Sequence, residues 1–523
     1  AGIAKPDDHR NQFAIAGGGP LYIPGIYEQR DKTFFFFTYA GLRLNGGLTY
    51  SAQVPTQAQL GGDFSSELTT TPLGADCLGR TIYQGAIYNP YSLSTCPNGS
   101  MVRNPYPGNI IPSTGLGGID PLANKLATGH YWPAPANPGG GFNFNTTVSA
   151  PTTSNEWGIR IDHNINENNR IYGQFSNKHE GKVQTGAFYG PDNVAGPYVF
   201  DPNNRMFGVL GYSHVFSPTL VMSSTLFFTR FTGGNVVQGY PFKPSSLGLP
   251  PILDSWSPQF PQVQFGNTFS GSGFYAPLGA TQNSGQASFP QNNGSLTVDI
   301  DKSFQTHSIS LGYMGIWQTD NGGRLTPTEF SFSNEMTAGP DPTNLKNEST
   351  GDALASFMAG AGNPGNGAAG STGFNAYPAP TYYMHGMYVQ DDWRVRPNLT
   401  LNLGFRYDIQ LPPTARHNEQ AYFDFHALNP ISAATGIPVY GQIVYNHPGN
   451  RGLYNPNLND FAPRIGFSYA VRPNLVLRGG YGIYYARNFY GGNGPDPGYS
   501  TSGVWTSSSD GIHVTTPRAQ AFE

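Results

Sequence analysis

Side chains that could do chemistry are few and dispersed in this 523-residue sequence. Cys77 and Cys96 lie in a stretch rich in Gly, Pro and Thr. They either close a disulfide in an oxidising compartment or stand as two unrelated thiols, and both readings stay open. Two cysteines make no zinc site alone, and no histidine lies beside them at ligand spacing. Gly365, Gly367 and Gly370 match the dinucleotide fingerprint G-x-G-x-x-G. They follow Pro364 in a Gly/Ala/Asn run and open no periodic helix, so the strand–turn–helix that cradles a pyrophosphate is missing. Gly466–Ala470 (GFSYA) half resembles a nucleophile elbow, but Ser468 falls within a strand. The eleven histidines are scattered. His163, His307 and His385 fall in or beside strands, where a wall position or an interfacial hydrogen bond is expected. No acidic pair suits general acid–base work. The sequence therefore points to no catalytic residue, no metal site and no cofactor, and to a protein that is not an enzyme.

Composition narrows the class. Only 11% of residues are charged and 14% are aromatic, against about 25% charged in an average soluble domain. Such a surface is poorly solvated in water but suits a face that meets lipid between aromatic girdles. A formal net charge of −4 excludes the basic face that a nucleic-acid partner needs. No apolar run is long enough for a transmembrane helix. Alternating strands average out their hydropathy, so a mean of −0.37 does not exclude a membrane barrel. The opening AGIAKPDDHRNQF lacks the apolar core of a signal peptide. An exported protein starting this way is expected to have lost its beginning.

The elements that must carry these residues are hairpins. Leu399, Leu401, Leu403, Phe405, Tyr407 and Ile409 fall on one face of a strand. Thr400, Asn402, Gly404, Arg406 and Asp408 fall on the other, a strict period of two. Val389, Trp393 and Val395 precede them on a partner strand, joined through Arg396-Pro397-Asn398. Asp391 spoils that partner's apolar face, which is tolerable only near an interface. Similar pairs turn at 166–169, 217–218, 302–305 and 472–474, and NQFAIAGGG with DKTFFFFTYAGLR makes a less regular one. This predicts roughly twelve strands in six hairpins, with the tight turns at one end. Long Gly-, Pro-, Asn- and Ser-rich loops follow at about 44–154, 233–293, 320–379 and 410–461. Short turns on one side and long loops on the other is the topology of outer-membrane barrels, whereas a soluble sandwich shares loop length between its ends. Arg160, Asp162, Gln174, Arg406, Asp408, Arg464 and Arg478 are expected to face the lumen. Residues 119–135 and 351–360 read as short helices inside loops.

The wording of these hairpins resembles the TonB-dependent receptors of the Oar-like type, which carry a carboxypeptidase-regulatory-like domain. The stretches that carry the likeness include VPTQAQLGGDFS, RNPYPGNIIP, IDPLANKLATGHYWPAPAN, NEWGIRIDHNINENNRIYGQFS, GDALASFMAG, YVQDDWRVRPNLTLNLGFRYD and NDFAPRIGFSYAVRPNLVLRGGYGIYY. They recur from residue 11 to about residue 487. The resemblance implies an all-β antiparallel transmembrane barrel of about 22 strands, preceded by a plug. Residues 1–523 are then expected to be a partial barrel, lacking the plug and the C-terminal strands.

That resemblance also implies the function: uptake or reception of a bulky extracellular ligand across the bacterial outer membrane. The partners would be outer-membrane lipid and, through the plug of the intact parent, the inner-membrane TonB energising complex. The loop aromatics Tyr83, Tyr88, Tyr106, Tyr131, Trp132, Tyr189 and Tyr198 are the candidates for ligand contact. One alternative is a structural or adhesive surface protein that uses the barrel as an anchor. Another is a soluble secreted β-rich carbohydrate-binding protein. With no segment reading as a plug, a curved open sheet, or a strained smaller barrel, with extended loops at one rim and an empty lumen is expected. A compact helix-and-sheet core, or a globular domain filling the lumen, would overturn this fragment reading.

Overall fold

The computed structural model describes residues 8–136, 142–185, 189–190, 193–196, 199–266, 275–281, 285–343, 349–364, 369–486 and 498–522. Twelve long strands follow one another in the main sheet, each antiparallel to the next. They are β1 (His9–Pro20), β2 (Thr33–Ala52), β3 (Phe144–Asn166), β4 (Asn169–Thr185), β5 (Val199–Ser217) and β6 (Leu220–Thr232). β7 (Gln291–Phe304), β8 (His307–Asp320), β9 (Pro380–Arg396), β10 (Leu399–Gln410), β11 (Asn457–Arg472) and β12 (Leu475–Gly482) complete the order. Four short strands at the margins bring the sheet to 16. Among the described residues nothing pairs with the outer edge of β1 or β12, so the sheet is an open arc.

Register places every tight turn at one end. Asn166 pairs with Asn169, Ser217 with Leu220, Phe304 with His307, Arg396 with Leu399 and Arg472 with Leu475. The cross-hairpin pairs agree, since Asn169 lies opposite His214 and His307 opposite Trp393. Local chemistry closes these turns. The Asn166 side-chain oxygen accepts from the Asn168 backbone N–H at 3.0 Å and from the Asn169 amide at 2.7 Å. A register shift sits beside most turns, as between Arg394 and Arg396, where a bulge reconciles strand twist with the tight connection. The β1–β2 link, residues 21–32, is longer but lies at the same end.

Directly opposed residues share a face, and the registers carry one apolar face across the whole arc. Tyr39 meets Trp157, Ile159 meets Phe175, Leu210 meets Leu226, and Leu226 meets Leu296. Further on, Leu311 meets Val389, Val389 meets Phe405, and Leu403 meets Ile465. Most of these side chains are well exposed, such as Ile161, Leu210, Leu226, Leu311, Phe405 and Ile465. A contiguous exposed face this apolar requires a solvent other than water. No described helix is long and apolar enough to cross a membrane, which says nothing of strands.

The opposite face is polar and internally satisfied. Asp162 accepts from Arg160 at 2.7 Å and from Arg170 at 2.9 Å. Arg406 pairs with Asp408 at 2.7 Å, and Tyr388 donates to Asp299 at 2.7 Å. The Tyr388 ring reaches Asp299 by crossing Gly312, where a Cβ would collide with it. Asp391, the carboxylate on the apolar face, is met by His307 Nδ1 at 2.7 Å beside the turn end, which accounts for its tolerance there. The other strand histidines are likewise engaged, His163 with Thr33 at 2.7 Å and His385 with Tyr313 at 2.9 Å.

The loops depart from expectation. β2 and β3 run for 20 and 23 residues, where about 9–11 tilted residues span a bilayer. Hairpins that long continue beyond the apolar layer, so regular structure extends into both ends of the segment expected as loop at 44–154. The remaining loop residues are not extended. Described residues of 44–154, 233–293 and 320–379, with others after β4 and β12, pack into a helix-and-sheet core whose hydrogen-bonded strands are Gln262–Gly266, Glu329–Ser333, Gly370–Asn375 and Ser500–Trp505, while 410–461 adds none of its buried residues. This overturns the expectation of extended loops, and it is the outcome named above as the one that would overturn the fragment reading. Its physical reason is apolar content: segments carrying Phe, Trp and Leu lower their free energy by burying them together.

Leu403 lies midway along β10, so a lysine there should cost about 2–4 kcal/mol at the bilayer midplane. The measurement is the temperature at which the protein in outer-membrane vesicles loses its folded mobility on gels. An unchanged temperature would reverse the assignment of the two faces.

Candidate functional site

The loop core draws on segments from five connections. Phe64, Ile87, Ile111, Leu122, Leu126 and Trp132 come from between β2 and β3, and Tyr189 and Ala195 from between β4 and β5. Leu253, Phe260, Val263, Phe265 and Tyr275 come from between β6 and β7. Phe330, Phe332, Leu354 and Phe357 come from between β8 and β9, and Trp505 and Ala521 from after β12. Phe357 sits at the centre, with ring centroids 5.2 Å from Phe332, 5.7 Å from Phe265 and 6.1 Å from Trp132.

Two short helices organise this packing, and the sequence marked both. Pro121–Thr128 starts at Asp120, whose carboxylate accepts from the Leu122 and Ala123 N–H groups. Ala353–Met358 starts at Asp352, which accepts from Ala355 N–H at 2.8 Å. An aspartate N-cap satisfies orphan donors and complements the helix dipole. Neither Gly365 nor Gly367 lies among the described residues, while Gly370 opens a strand rather than a helix.

Buried charges tie the segments together. Arg518 Nε donates to Asp120 at 2.7 Å, with both side chains 5% exposed. Arg103 is fully buried and donates to the backbone carbonyls of Glu335, Ala338 and Gly511 at 2.7, 2.8 and 3.0 Å. Burial pulls its guanidinium down to about 10, so it stays charged near neutrality. Cys77 and Cys96 form a disulfide with Cα atoms 5.7 Å apart. Beside it, Arg80 pairs with Asp76 at 2.6 Å and donates to Asn104 at 2.6 Å.

A further polar node lies where three loops meet. Gln59 Nε2 donates to Glu67 at 2.6 Å and to the Tyr275 hydroxyl at 3.0 Å, and that hydroxyl reaches Asp352 at 3.3 Å. Burial of its carboxyl and the neighbouring Asp352 carboxylate push Glu67 up to about 8. Burial also raises Asp352, against the helix N–H groups that lower it. Sequence reasoning missed Glu67, Tyr275, Asp352, Arg103 and Arg518. Only the N-cap position of Asp352 left a local signal.

The proposed contact aromatics are reassigned by their surroundings. Tyr88, Tyr106, Trp132 and Tyr189 are buried. Tyr106 donates to Gly117 O at 2.7 Å, Trp132 to Ala276 O at 2.9 Å and Tyr189 to Pro277 O at 2.6 Å. Tyr131 is half-buried with its ring against Phe260, and Tyr83 remains 39% exposed. Tyr198 lies outside the described residues. These rings pack the loops because an amphipathic ring gains most where its body is dry and its polar tip finds a carbonyl. Open apolar surface lies instead on the hairpin of Ala421–Leu428 and Tyr440–Tyr445. There Phe425, Ile437 and Tyr440 are 75%, 66% and 65% exposed.

Among the described residues no group of His, Cys, Asp or Glu could hold a metal ion. Ser468 lies within β11, opposite Thr400 and Arg478. The geometry defines a membrane-spanning antiparallel sheet with an apolar outer face, a polar inner face and a packed cap at the end opposite its tight turns. The chain belongs to the outer-membrane β-barrel domain family, whose model matches residues 1–522. It is a protein of the bacterial outer membrane, which corrects the soluble-protein alternative. No curated protein matches the sequence. Among solved structures, it is similar to the copper transporter OprC at 7% identity and a TM-score of 0.34, over 92% of this chain and 47% of that one. It is also similar to the outer membrane transporter YddB from Escherichia coli (8%, TM-score 0.29, 90% and 55%). A third is the ferric-catecholate import receptor Fiu from Escherichia coli K12 in its closed form (10%, TM-score 0.25, 92% and 64%). The chain thus spans less than two thirds of the length of each.

Two outcomes follow for the cap. Replacing Arg518 with methionine leaves the Asp120 carboxylate buried without its cation, which should cost about 3–5 kcal/mol. Faster proteolysis within 500–522 at unchanged barrel heat resistance is the expected readout. Reducing the disulfide, with its sequence separation of 19, should remove roughly 3 kcal/mol of loop stabilisation. Cleavage between Cys77 and Cys96 should then accelerate, and an unchanged rate would show that the flanking hairpins hold without it.

Proposed function

We propose that this chain is the barrel portion of a TonB-dependent receptor of the Oar-like type, receiving a bulky extracellular ligand. The observation that carries the reading is the one-sided cap. A large share of the chain folds into a built structure at the end opposite the tight turns, far more than a passive anchor requires. In this reading the tight turns face the periplasm and the loops at 44–154, 233–293, 320–379 and 410–461 face outward. No enzymatic step and no nucleic acid enters. Lipid surrounds the apolar face, and the TonB complex acts through the plug of the intact parent.

Among the described residues no strand pairs with the outer edge of β1 or β12, which supports a second element of the proposal. Backbone groups left unpaired in hydrocarbon cost several kcal/mol each, so strands beyond this sequence complete a larger barrel. The packed loop core, which argued against a partial barrel, fits this version because most of it comes from inter-strand loops, with Trp505 and Ala521 following β12, rather than from a separate plug segment. The ligand contact surface is assigned to the exposed hairpin carrying Phe425 and Tyr440, not to the buried aromatics.

The adhesive alternative draws on the same hairpin, because exposed apolar patches mark partner surfaces. A single experiment separates the two. The parent expressed from its full reading frame should cross-link in cells to the periplasmic domain of TonB. Normal insertion without any such cross-link would sink the receptor reading and leave the adhesive one.

A further inference from the structure

The node at Glu67 gathers two carboxylates around one buried phenol hydroxyl. Gln59 directs its amide hydrogens to Glu67 and to the Tyr275 oxygen, while its own oxygen accepts from the Thr56 backbone N–H at 2.8 Å. Tyr275 owns a single hydroxyl hydrogen, and Asp352 lies 3.3 Å from that oxygen. Asp352 is otherwise well supplied, because it caps a helix. Glu67 and Asp352 are thus joined through the Gln59 amide and a single buried phenol hydroxyl. A proton on Glu67 removes one of the two like charges that meet across this buried path. The residues at large are half-buried, but their carboxyl groups turn inward onto Gln59 and Tyr275, which are 6% and 3% exposed.

Charges on the neighbouring elements are already engaged. Asp120 pairs with Arg518, and the Lys125 amine donates to Ser246 O at 3.3 Å. Arg103 is held by carbonyls, including that of Glu335, whose own carboxylate it faces. Glu329 accepts from Gln264 at 2.7 Å, and Asp63 accepts from the Ser65 N–H at 2.9 Å. Among the described residues the charged neighbour of Glu67 is Asp352, and no described cation reaches it.

We propose that this node is a proton-operated latch on the cap. With Glu67 protonated, the loops after β2, β6 and β8 stay packed through Gln59, Tyr275 and Asp352. When the proton leaves, two carboxylates face each other across one phenol and the three loops loosen. The latch stands on the loop core itself and holds whether or not the parent transports.

The sign follows from linkage. Glu67 is raised in the folded cap, so its contribution is complete below the ordinary carboxylate range and is lost as pH rises through the raised value. The cap is tightest in mild acid and loosens towards alkaline pH.

The test uses the protein in native outer-membrane vesicles, with hydrogen exchange read in segments 53–64, 275–281 and 349–358 at about pH 6 and about pH 9. After correction for intrinsic exchange chemistry, opening should increase roughly a hundred-fold. Glu67→Gln keeps the shape and the hydrogen-bond donor but cannot titrate, so it should give the same opening at both pH values. Equal protection of the wild type at both values overturns the latch, and so does a Glu67→Gln protein that keeps the wild-type response. If that variant does not assemble, infrared titration of the wild type decides. A protonated-carboxyl band present at pH 6 and lost in step with loop opening supports the latch, and its absence at pH 6 overturns it.

Discussion

A backbone amide in hydrocarbon has no water to bond, and the rest of this architecture follows from that constraint. Along β1 to β12 each strand finds its partner in the next, so the chain forms one continuous antiparallel ladder rather than separate sheets. The demand also explains why the turns at one end are minimal. A connection that stays tight, capped by Asn166 or bulged at Arg396, leaves few backbone groups to satisfy. At the other end the strands outrun the apolar layer, and their connections become free to build something else.

What they build solves a second problem. Polar groups on the inner face of the sheet meet one another, as Asp162 meets two arginines and Arg406 meets Asp408. The cap instead takes polar groups out of water, and each must be matched by design of its surroundings. Arg103 meets carbonyls through its two terminal nitrogens, Asp120 meets Arg518, and Glu67 meets the Gln59 amide. Buried pairs of this kind add little net stability over apolar packing, but they penalise any arrangement that separates the partners. That penalty suits a structure assembled from segments far apart in the chain.

The strand pattern was legible because its information is local. Period-two alternation in β10, tight-turn residues at 396–398 and the Asp before each short helix depend on neighbours within a few positions, so one sequence suffices to read them. Sequence alone therefore determined the antiparallel hairpins, the shared end of their turns and the two unlike faces of the sheet. It also marked the helices at 121–128 and 353–358. The packing of the cap was a different matter. Whether Tyr106 meets a ligand or Gly117, and whether Glu67 is solvated or set beside Asp352, depends on which distant loop arrives opposite. Those contacts are long-range burial and electrostatics, and they exist only once the tertiary structure brings the segments together.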